Sequence, residues 1–479
     1  MHSIKKNIIL NCIRTFVSVF FPFILFQYAS RIIQVENLGK VNFSNSVINY
    51  FILIAGLGIN SYAIRESGKI IKEKKRMELF ASEVFSINII SAIISLVLLI
   101  LTIHISDKLH NYLLLLVIQS TTIISTTFSL EWINVVYEDY SYITIRTIVF
   151  QLLTFLLTVM FVKSVDDYVM FAIIVAIGKV GPDVMNWVYI RNKYLKVVIK
   201  YTENTKKHIK PILIIFFTSL VISIYVSIDT TMIGYIQNDA QVGYYSVAVK
   251  IYTALKTVFS AIISVLIPRM SILIASKNRA NAKKLLAASL ESFIVIILPL
   301  IAFITINSRL IIEILFGEMY SFSVLALQII SFGIIFAVFA SVITNCIFLP
   351  MSLEKYSLIA TTTSAIVNVL LNFPFIKKWG TYGAATTTVL SECLVFLISY
   401  VLLRKSKVDF LKLIKIRYLF LSILLCCVVV VSRLLVTALS HSNTINMTIQ
   451  FIIILMTYGL VFKKQIIELL NRKRGIVKK

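Results

Sequence analysis

Ionisable side chains inside long apolar stretches are the residues of this sequence that could do chemistry. A charged side chain is costly in lipid, so such residues usually face a bundle interior or a wet cavity. The basic side chains of this kind outnumber the acidic ones, Asp183 and Asp229, which suits an anionic ligand such as a phosphate or pyrophosphate. The candidate binding residues for this anion are Lys250, Arg14, Arg31 and Lys179. Snorkelling to the interface is the rival interpretation, and it is favoured for Arg31, close to the outer end of the first predicted helix.

Lys250 and Asp229 form the main candidate pair. Asp229 lies about seven residues before the outer end of a helix predicted over 211–236, and Lys250 lies seven residues after Gly243, where the next helix starts. At about 1.5 Å per residue both lie roughly 10 Å below the outer surface, so the two side chains could meet. They form either a structural ion pair or a switch. In the switch, Lys250 separates from Asp229 and holds a phosphate instead, or Asp229 takes a proton or a sodium ion.

Lys179 and Asp183 form a second candidate pair on the sixth predicted helix. They are four residues apart and therefore face the same side of that helix, which favours a local ion pair. Gly178, Gly181 and Pro182 lie around them and predict a kink or break, a feature that often marks a moving element.

No enzyme signature accompanies these residues. The sequence has no Walker A motif, no Gly-rich dinucleotide turn and no His, Asp or Glu cluster with metal-ligand spacing. The cysteines all lie in apolar stretches, where we expect them to act as small packing residues. We therefore expect a protein that is not an enzyme and has no cofactor or metal, apart from coupling to H⁺ or Na⁺.

The composition predicts an all-α polytopic membrane protein. Hydrophobic residues make up 58% of the 479 positions, charged residues only 14%, and the mean hydropathy is +0.91. The apolar stretches are long enough for spanning helices, which need roughly 20 residues, and they lack the alternation of a membrane barrel. The net charge of +25 does not indicate a nucleic-acid partner, because the basic residues fall in short runs between apolar spans.

Fourteen spanning helices are predicted, and the last two form an extra pair, so the count is 12 to 14. They cover 7–34, 40–64, 81–105, 111–131, 141–162, 168–190, 211–236, 243–268, 286–306, 321–350, 356–376, 382–403, 418–438 and 447–463. Lys and Arg are concentrated in alternate loops, as in the run Lys72, Lys74, Lys75 and Arg76. The positive-inside rule then predicts that both termini are cytoplasmic.

An internal repeat divides the chain. Gly39 precedes Arg65 by 26 residues, and Gly243 precedes Arg269 by the same number. We therefore predict a six-helix bundle over 1–192, a cytoplasmic linker over 193–210, a second bundle over 211–403, and a basic segment with the extra helix pair over 404–479. The two bundles share one orientation, as in transporters built from parallel repeats, which hold their substrate between the halves.

Several short stretches together resemble a known family. They are 56–66 (GLGINSYAIRE), 131–132 (EW), 137–140 (YEDY), 227–234 (SIDTTMIG), 242–245 (VGYY), 267–271 (IPRMS), 315–317 (LFG) and 382–385 (YGAA). In order and spacing they are similar to the polysaccharide-transport branch of the multidrug/oligosaccharidyl-lipid/polysaccharide exporters, and specifically to O-antigen flippases. The resemblance covers nearly the whole chain.

This resemblance implies two six-helix bundles around a central cationic cavity that opens alternately to each side of the bacterial inner membrane. The implied cargo is an undecaprenyl-pyrophosphate-linked oligosaccharide, moved from the cytoplasmic to the periplasmic leaflet. Ion coupling is implied as well, with Asp229 as the candidate residue. The implied partners are the lipid bilayer and, among proteins, an O-antigen polymerase and a chain-length regulator.

Two alternatives stay open. An ion-coupled multidrug antiporter of the same superfamily predicts a cavity with excess carboxylates, whereas the excess here is basic. A membrane glycosyltransferase or polymerase predicts a large loop outside the membrane with acidic catalytic residues, whereas the loops here are short and basic.

Overall fold

The computed structural model describes residues 4–276, 278–404, 410, 413–439 and short stretches between 445 and 459, and in these residues the protein is helical, without strands. The α-helices are α1 (Ile4–Gly56), α2 (Ile59–Ser67), α3 (Lys74–Ile105), α4 (Asp107–His110), α5 (Leu113–Ser129), α6 (Glu131–Val136), α7 (Tyr140–Phe161), α8 (Tyr168–Lys193), α9 (Thr205–Ile236), α10 (Asp239–Ala275), α11 (Arg279–Leu315), α12 (Ser323–Ser331), α13 (Gly333–Ile343), α14 (Glu354–Trp379), α15 (Thr381–Arg404) and α16 (Ile416–Leu439).

The predicted spans correspond closely to these helices. Eleven helical stretches of the described residues are long and apolar enough to cross a membrane, and α9 follows the seventh predicted span. The first two predicted spans are merged in α1, which is broken at Gln34, where φ is 62° and ψ is −178°. The thirteenth corresponds to α16, and of the fourteenth, 447–463, only short helical stretches at 448–453, 456–457 and 459 lie within the described residues.

Local backbone geometry sets where α6 and α7 start, close to the polar residues Glu131 and Asp139. Leu130 adopts a left-handed conformation, with φ at 40° and ψ at 24°, and this turn ends α5 and starts α6 at Glu131. The side chain of Asp139 accepts a hydrogen bond from the Tyr142 backbone N–H and so caps α7. Such caps satisfy the free N–H groups at a helix start.

The chain forms two compact units, Met1–Thr257 with Leu358–Ser391, and Val258–Ser357 with Glu392–Lys479. The first unit contains α1 to α9, the start of α10, most of α14 and the start of α15, and in the second α11 packs against α16. The boundaries of these two units differ from those of the predicted bundles, 1–192 and 211–403. The bundle boundaries stay a prediction.

Within the first unit, α1 and α10 meet backbone to backbone at the two glycines of the repeat. A Cβ atom added at Gly39 would lie 1.8 Å from the Asp239 carbonyl oxygen, and one added at Gly243 would lie 2.2 Å from the Val35 carbonyl oxygen. The Tyr112 hydroxyl donates to Asp239 Oδ1 at 2.5 Å beside this contact. Equivalent positions of the repeat therefore pack against each other at the ends predicted to be periplasmic, and small residues are what allow such close helix packing in membranes.

We expect Gly243→Ala to destabilise the protein by about 2 kcal/mol, because the new methyl group would overlap the Val35 carbonyl and force the helices apart. Gly56→Ala is the matched control, since no atom lies within 4 Å of its added Cβ. The free energy of unfolding in detergent, measured by chemical denaturation, tests the pair. Equal stability of the two variants would contradict the backbone contact.

Candidate functional site

The structure brings Lys179 of α8 and Lys250 of α10 together. Lys250 is half-buried, and its Nζ lies 5.1 Å from the centroid of the Phe26 ring in α1. Lys179 is exposed at the middle of α8, and its Nζ donates to Asn45 Oδ1 at 3.2 Å. The positive charge of Lys179 acts unfavourably on that of Lys250. We call Lys179, Lys250, Phe26 and Asn45 the lysine cluster.

Close packing of α8 on α7 orients Lys179. A Cβ atom added at Gly178 would lie 2.3 Å from Thr154 Oγ1, and one added at Gly181 would lie 2.2 Å from the Phe150 ring. The glycine side of α8 thus lies on α7, and Lys179 projects from another side. Of the kink or break predicted around Pro182, the break is not formed, because α8 runs as one helix from Tyr168 to Lys193 with Pro182 inside it, and the kink stays a prediction.

Asp229 is buried, and all of its hydrogen-bond donors shown by the structure are neutral. The Tyr245 and Thr388 hydroxyls both donate to Oδ2 at 2.6 Å, and Asn372 Nδ2 donates to Oδ1 at 2.6 Å. These partners come from α10, α15 and α14, so one carboxylate joins three other helices of the first unit. We call Asp229, Tyr245, Asn372 and Thr388 the aspartate cluster.

The ion pair predicted between Asp229 and Lys250 is not formed in the described part of the chain. Tyr245, rather than Lys250, extends from α10 to Asp229. At about 100° per residue, the five positions between Tyr245 and Lys250 turn the helix face by roughly 140°, so Lys250 points to α1 instead. Equal depth along neighbouring helices was therefore not enough to predict contact.

The pair predicted between Lys179 and Asp183 is not formed either. Asp183 Oδ2 accepts a hydrogen bond from Ser125 Oγ of α5 at 2.9 Å, whereas Lys179 extends to Asn45 of α1. Both side chains leave α8 on one side, but the long lysine and the short aspartate reach different neighbouring helices. Spacing along a helix shows which side chains share a face and leaves open the partners that this face meets.

Arg14 is held by a carboxylate that it shares with a second arginine. Arg14 Nη2 donates to Glu131 Oε1, and Arg146 Nη2 donates to Glu131 Oε2 at 2.8 Å. Arg146 was not among the predicted site residues, although it too is an ionisable residue inside a predicted span, 141–162. Arg31 lies exposed on α1, three residues before the break at Gln34, a position consistent with snorkelling.

Two polar contacts at the predicted cytoplasmic ends hold these helices in place. At the start of α9, His208 Nδ1 lies 2.6 Å from the Tyr62 hydroxyl oxygen and His208 Nε2 lies 3.1 Å from Glu83 Oε2. This contact fixes the helix that carries Asp229 against α2 and α3.

Asp139, before α7, accepts hydrogen bonds at Oδ2 from the Tyr189 and Tyr194 hydroxyls and from Lys193 Nζ at 2.6, 2.7 and 3.0 Å. Burial raises the pKa of Asp139, but these hydrogen bonds outweigh it and hold the pKa below its usual range. The contact joins the start of α7 to the end of α8, and thereby sets Arg146 and Asp183 relative to each other.

The two clusters predict different energetic couplings in double-mutant cycles. Asp229→Asn and Tyr245→Phe should couple by about 1 kcal/mol or more, because they remove the two sides of one buried hydrogen bond. Asp229→Asn and Lys250→Met should couple by less than about 0.5 kcal/mol, because they are not in contact. Unfolding free energies in detergent give both coupling energies. A larger coupling energy for the Asp229–Lys250 cycle than for the Asp229–Tyr245 cycle would show that Asp229 and Lys250 form an ion pair after all.

Residues 4–274, more than half of the chain, match the family described as "Polysaccharide biosynthesis protein". Relatives from Escherichia coli (strain K12) and Shigella dysenteriae both carry the name "Putative O-antigen transporter". The first is 21% identical over 407 residues and the second 23% over 395, covering 85% and 82% of this chain and 98% of each relative.

Solved structures share the fold. The lipid II flippase MurJ in an inward closed conformation has a TM-score of 0.74 at 17% identity, over 96% of this chain and 99% of that chain. An inward-facing multidrug resistance MATE family transporter of the MOP superfamily has a TM-score of 0.64 at 13% identity, over 85% and 98%. These similarities confirm the predicted fold class, an all-α membrane protein with the two-lobe fold of these transporters.

Proposed function

Because the chain belongs to the family of polysaccharide biosynthesis proteins, we propose that it is a flippase for lipid-linked oligosaccharides of the O-antigen type. The cargo is an undecaprenyl-pyrophosphate-linked repeat unit, carried from the cytoplasmic to the periplasmic leaflet of the bacterial inner membrane. The names of the two relatives, which match this chain over nearly their whole length, support this substrate class. The protein moves its cargo without making or breaking bonds.

The observation that carries the proposal is the lysine cluster. Two ammonium groups whose positive charges act on each other extend from α8 and α10, one exposed and one half-buried, and the partners that the structure shows for them are neutral, Asn45 and Phe26. Like charges repel most strongly where the dielectric is low, so an anion between them would relieve the repulsion. The pyrophosphate of the cargo is such an anion, and lysine is a common phosphate ligand.

The carboxylates of the first unit support an anionic rather than a cationic cargo. Asp183 and Asp229 are each occupied by hydroxyl or amide donors, and Glu131 is shared by two arginines. None of the three forms an ion pair with a lysine of the lysine cluster in the described part of the chain. A multidrug antiporter for cations would need the opposite arrangement, with carboxylates free to bind the drug.

Alternating access is the proposed mechanism. The glycine contact between α1 and α10 closes the ends that the charge distribution predicts to be periplasmic, so the pyrophosphate would enter from the cytoplasmic side. The polyprenyl tail stays in lipid, and rocking of the two predicted bundles then opens the Gly39–Gly243 contact and exposes the sugar to the periplasm. An O-antigen polymerase and a chain-length regulator would receive the unit there.

The aspartate cluster is the proposed site of ion coupling. It combines the Asp229 carboxylate with the hydroxyl oxygens of Tyr245 and Thr388, whereas Asn372 faces the carboxylate with its Nδ2 atom. Carboxylate and hydroxyl oxygens are hard ligands of the kind that suit Na⁺. A bound Na⁺ would give the Asp229 carboxylate a positively charged partner, and a proton on Asp229 would likewise neutralise its charge. The cluster joins α9, α10, α14 and α15, so its charge state affects the packing of four helices.

We expect Lys179→Ala/Lys250→Ala to lower cargo translocation by about tenfold or more, because the pyrophosphate loses both of its charged partners. The assay follows a labelled polyprenyl-pyrophosphate oligosaccharide in proteoliposomes. Arg309→Gln removes one positive charge at an exposed arginine of α11 that pairs with Glu313, and this control should behave as wild type. Unchanged translocation in the double variant would remove the lysine cluster from the function, and no translocation by the wild-type protein would exclude the flippase.

Asp229→Asn should make translocation independent of an imposed Na⁺ or proton gradient, because the amide keeps the shape of the cluster without its charge. The same proteoliposomes, with each gradient applied separately, show which ion couples. Asp166→Asn, at an exposed position between α7 and α8, is the matched control and should keep the dependence. A gradient response that survives in Asp229→Asn would place coupling elsewhere.

A further inference from the structure

Glu131 holds two arginines at once, one on each carboxylate oxygen. Arg146 of α7 donates to Oε2 at 2.8 Å, and Arg14 of α1 donates to Oε1. The side chain of Arg146 is 2% exposed, whereas those of Arg14 and Glu131 are 27% and 23% exposed. The three groups therefore form a triad with one net positive charge, with Arg146 at its buried end and Arg14 at its open end.

Arg146 is fixed at the buried end. Its guanidinium lies 5.5 Å from the centroid of the Tyr142 ring, and Asp183 is within electrostatic range. Its Nε and Nη1 atoms are buried without a hydrogen-bond partner in the described chain. Leaving a buried arginine without its carboxylate partner strongly destabilises a protein. We therefore expect Arg146 to stay paired with Glu131 when Arg14 moves away.

The two ends of the triad thus differ in how easily they separate from Glu131. If Arg14 were its single partner, moving Arg14 away would leave an uncompensated carboxylate inside the protein, which is costly. With Arg146 in place, Glu131 keeps a charged partner, and Arg14 can turn to another anion at a lower cost. Arg14 lies 12 residues before Phe26 of the lysine cluster, about 18 Å along α1 toward the predicted cytoplasmic end.

We propose that Arg146 is a positioning residue that neutralises Glu131, so that Arg14 can leave the carboxylate and bind the pyrophosphate of the incoming lipid. This inference rests on the proposed function, and it adds an entry position to the lysine cluster. Arg14 contacts the phosphate, whereas Arg146 acts through Glu131 alone. The head group meets Arg14 first and the lysine cluster second.

Binding measurements on the full chain in detergent test the proposal, with undecaprenyl pyrophosphate and inorganic pyrophosphate as separate probes. Arg14→Gln and Arg146→Gln should each weaken binding of both probes by about tenfold, the first by loss of a ligand and the second because Glu131 then retains Arg14. The double variant Glu131→Gln/Arg146→Gln should recover to within about threefold of wild type, because Arg14 is released again. Arg309→Gln should leave binding unchanged.

Recovery of binding in the double variant distinguishes a positioning role of Arg146 from the other roles that it could have. If Arg146 contacted the phosphate itself, or only maintained the fold, the double variant would bind as weakly as Arg146→Gln, and that result would overturn the proposal. Wild-type protein that binds inorganic pyrophosphate through Arg14 but does not translocate the lipid in proteoliposomes would overturn the proposed function and leave the positioning role intact. Wild-type protein that binds neither probe would overturn both.

Discussion

Carboxylates inside an apolar helix bundle must be stabilised by the protein itself, and most of the polar architecture of the first unit depends on this constraint. Asp229 is satisfied by hydroxyl and amide donors, Asp183 by Ser125, and Glu131 by two arginines. Each solution ties together helices that are distant in sequence. Because the acids are satisfied in this way, none of them forms an ion pair with Lys179 or Lys250 in the described residues.

Small residues determine how closely the helices that carry these groups approach. Apolar surface alone does not drive helices together in lipid, so van der Waals packing and hydrogen bonds take a larger part. Gly178 and Gly181 bring α8 onto α7, and Gly39 and Gly243 bring α1 onto α10. The same helices carry Lys179, Asp183 and Lys250. The glycine contacts therefore set the geometry of the charged groups, and a contact made only of backbone atoms and small residues is also one that a rocking motion can open without breaking ion pairs.

The charged groups suggest an order of events for an anionic lipid head group. Arg14, at the open end of the Glu131 triad, lies nearer the predicted cytoplasmic end of α1 than Phe26, which borders the lysine cluster. The aspartate cluster is built from neutral donors around one carboxylate, so a small cation rather than the cargo suits it. In the proposed function, separate sites for cargo and ion would allow the binding of one to bias the other through the helices that they share.

The membrane class, nearly all of the spans, the fold class and the family could be predicted from the residues, because long apolar runs and short motifs are local features of the chain. The sequence also identified Lys179, Lys250, Asp183 and Asp229 as ionisable residues that must be accommodated in a bundle. Only the tertiary structure decided their partners. Helical spacing shows which residues share a face, but the neighbour of that face depends on packing among α1, α5, α8 and α10. For this reason both predicted ion pairs were wrong, and the role of Arg146, which depends on Glu131 being shared with Arg14, became visible only in the folded chain.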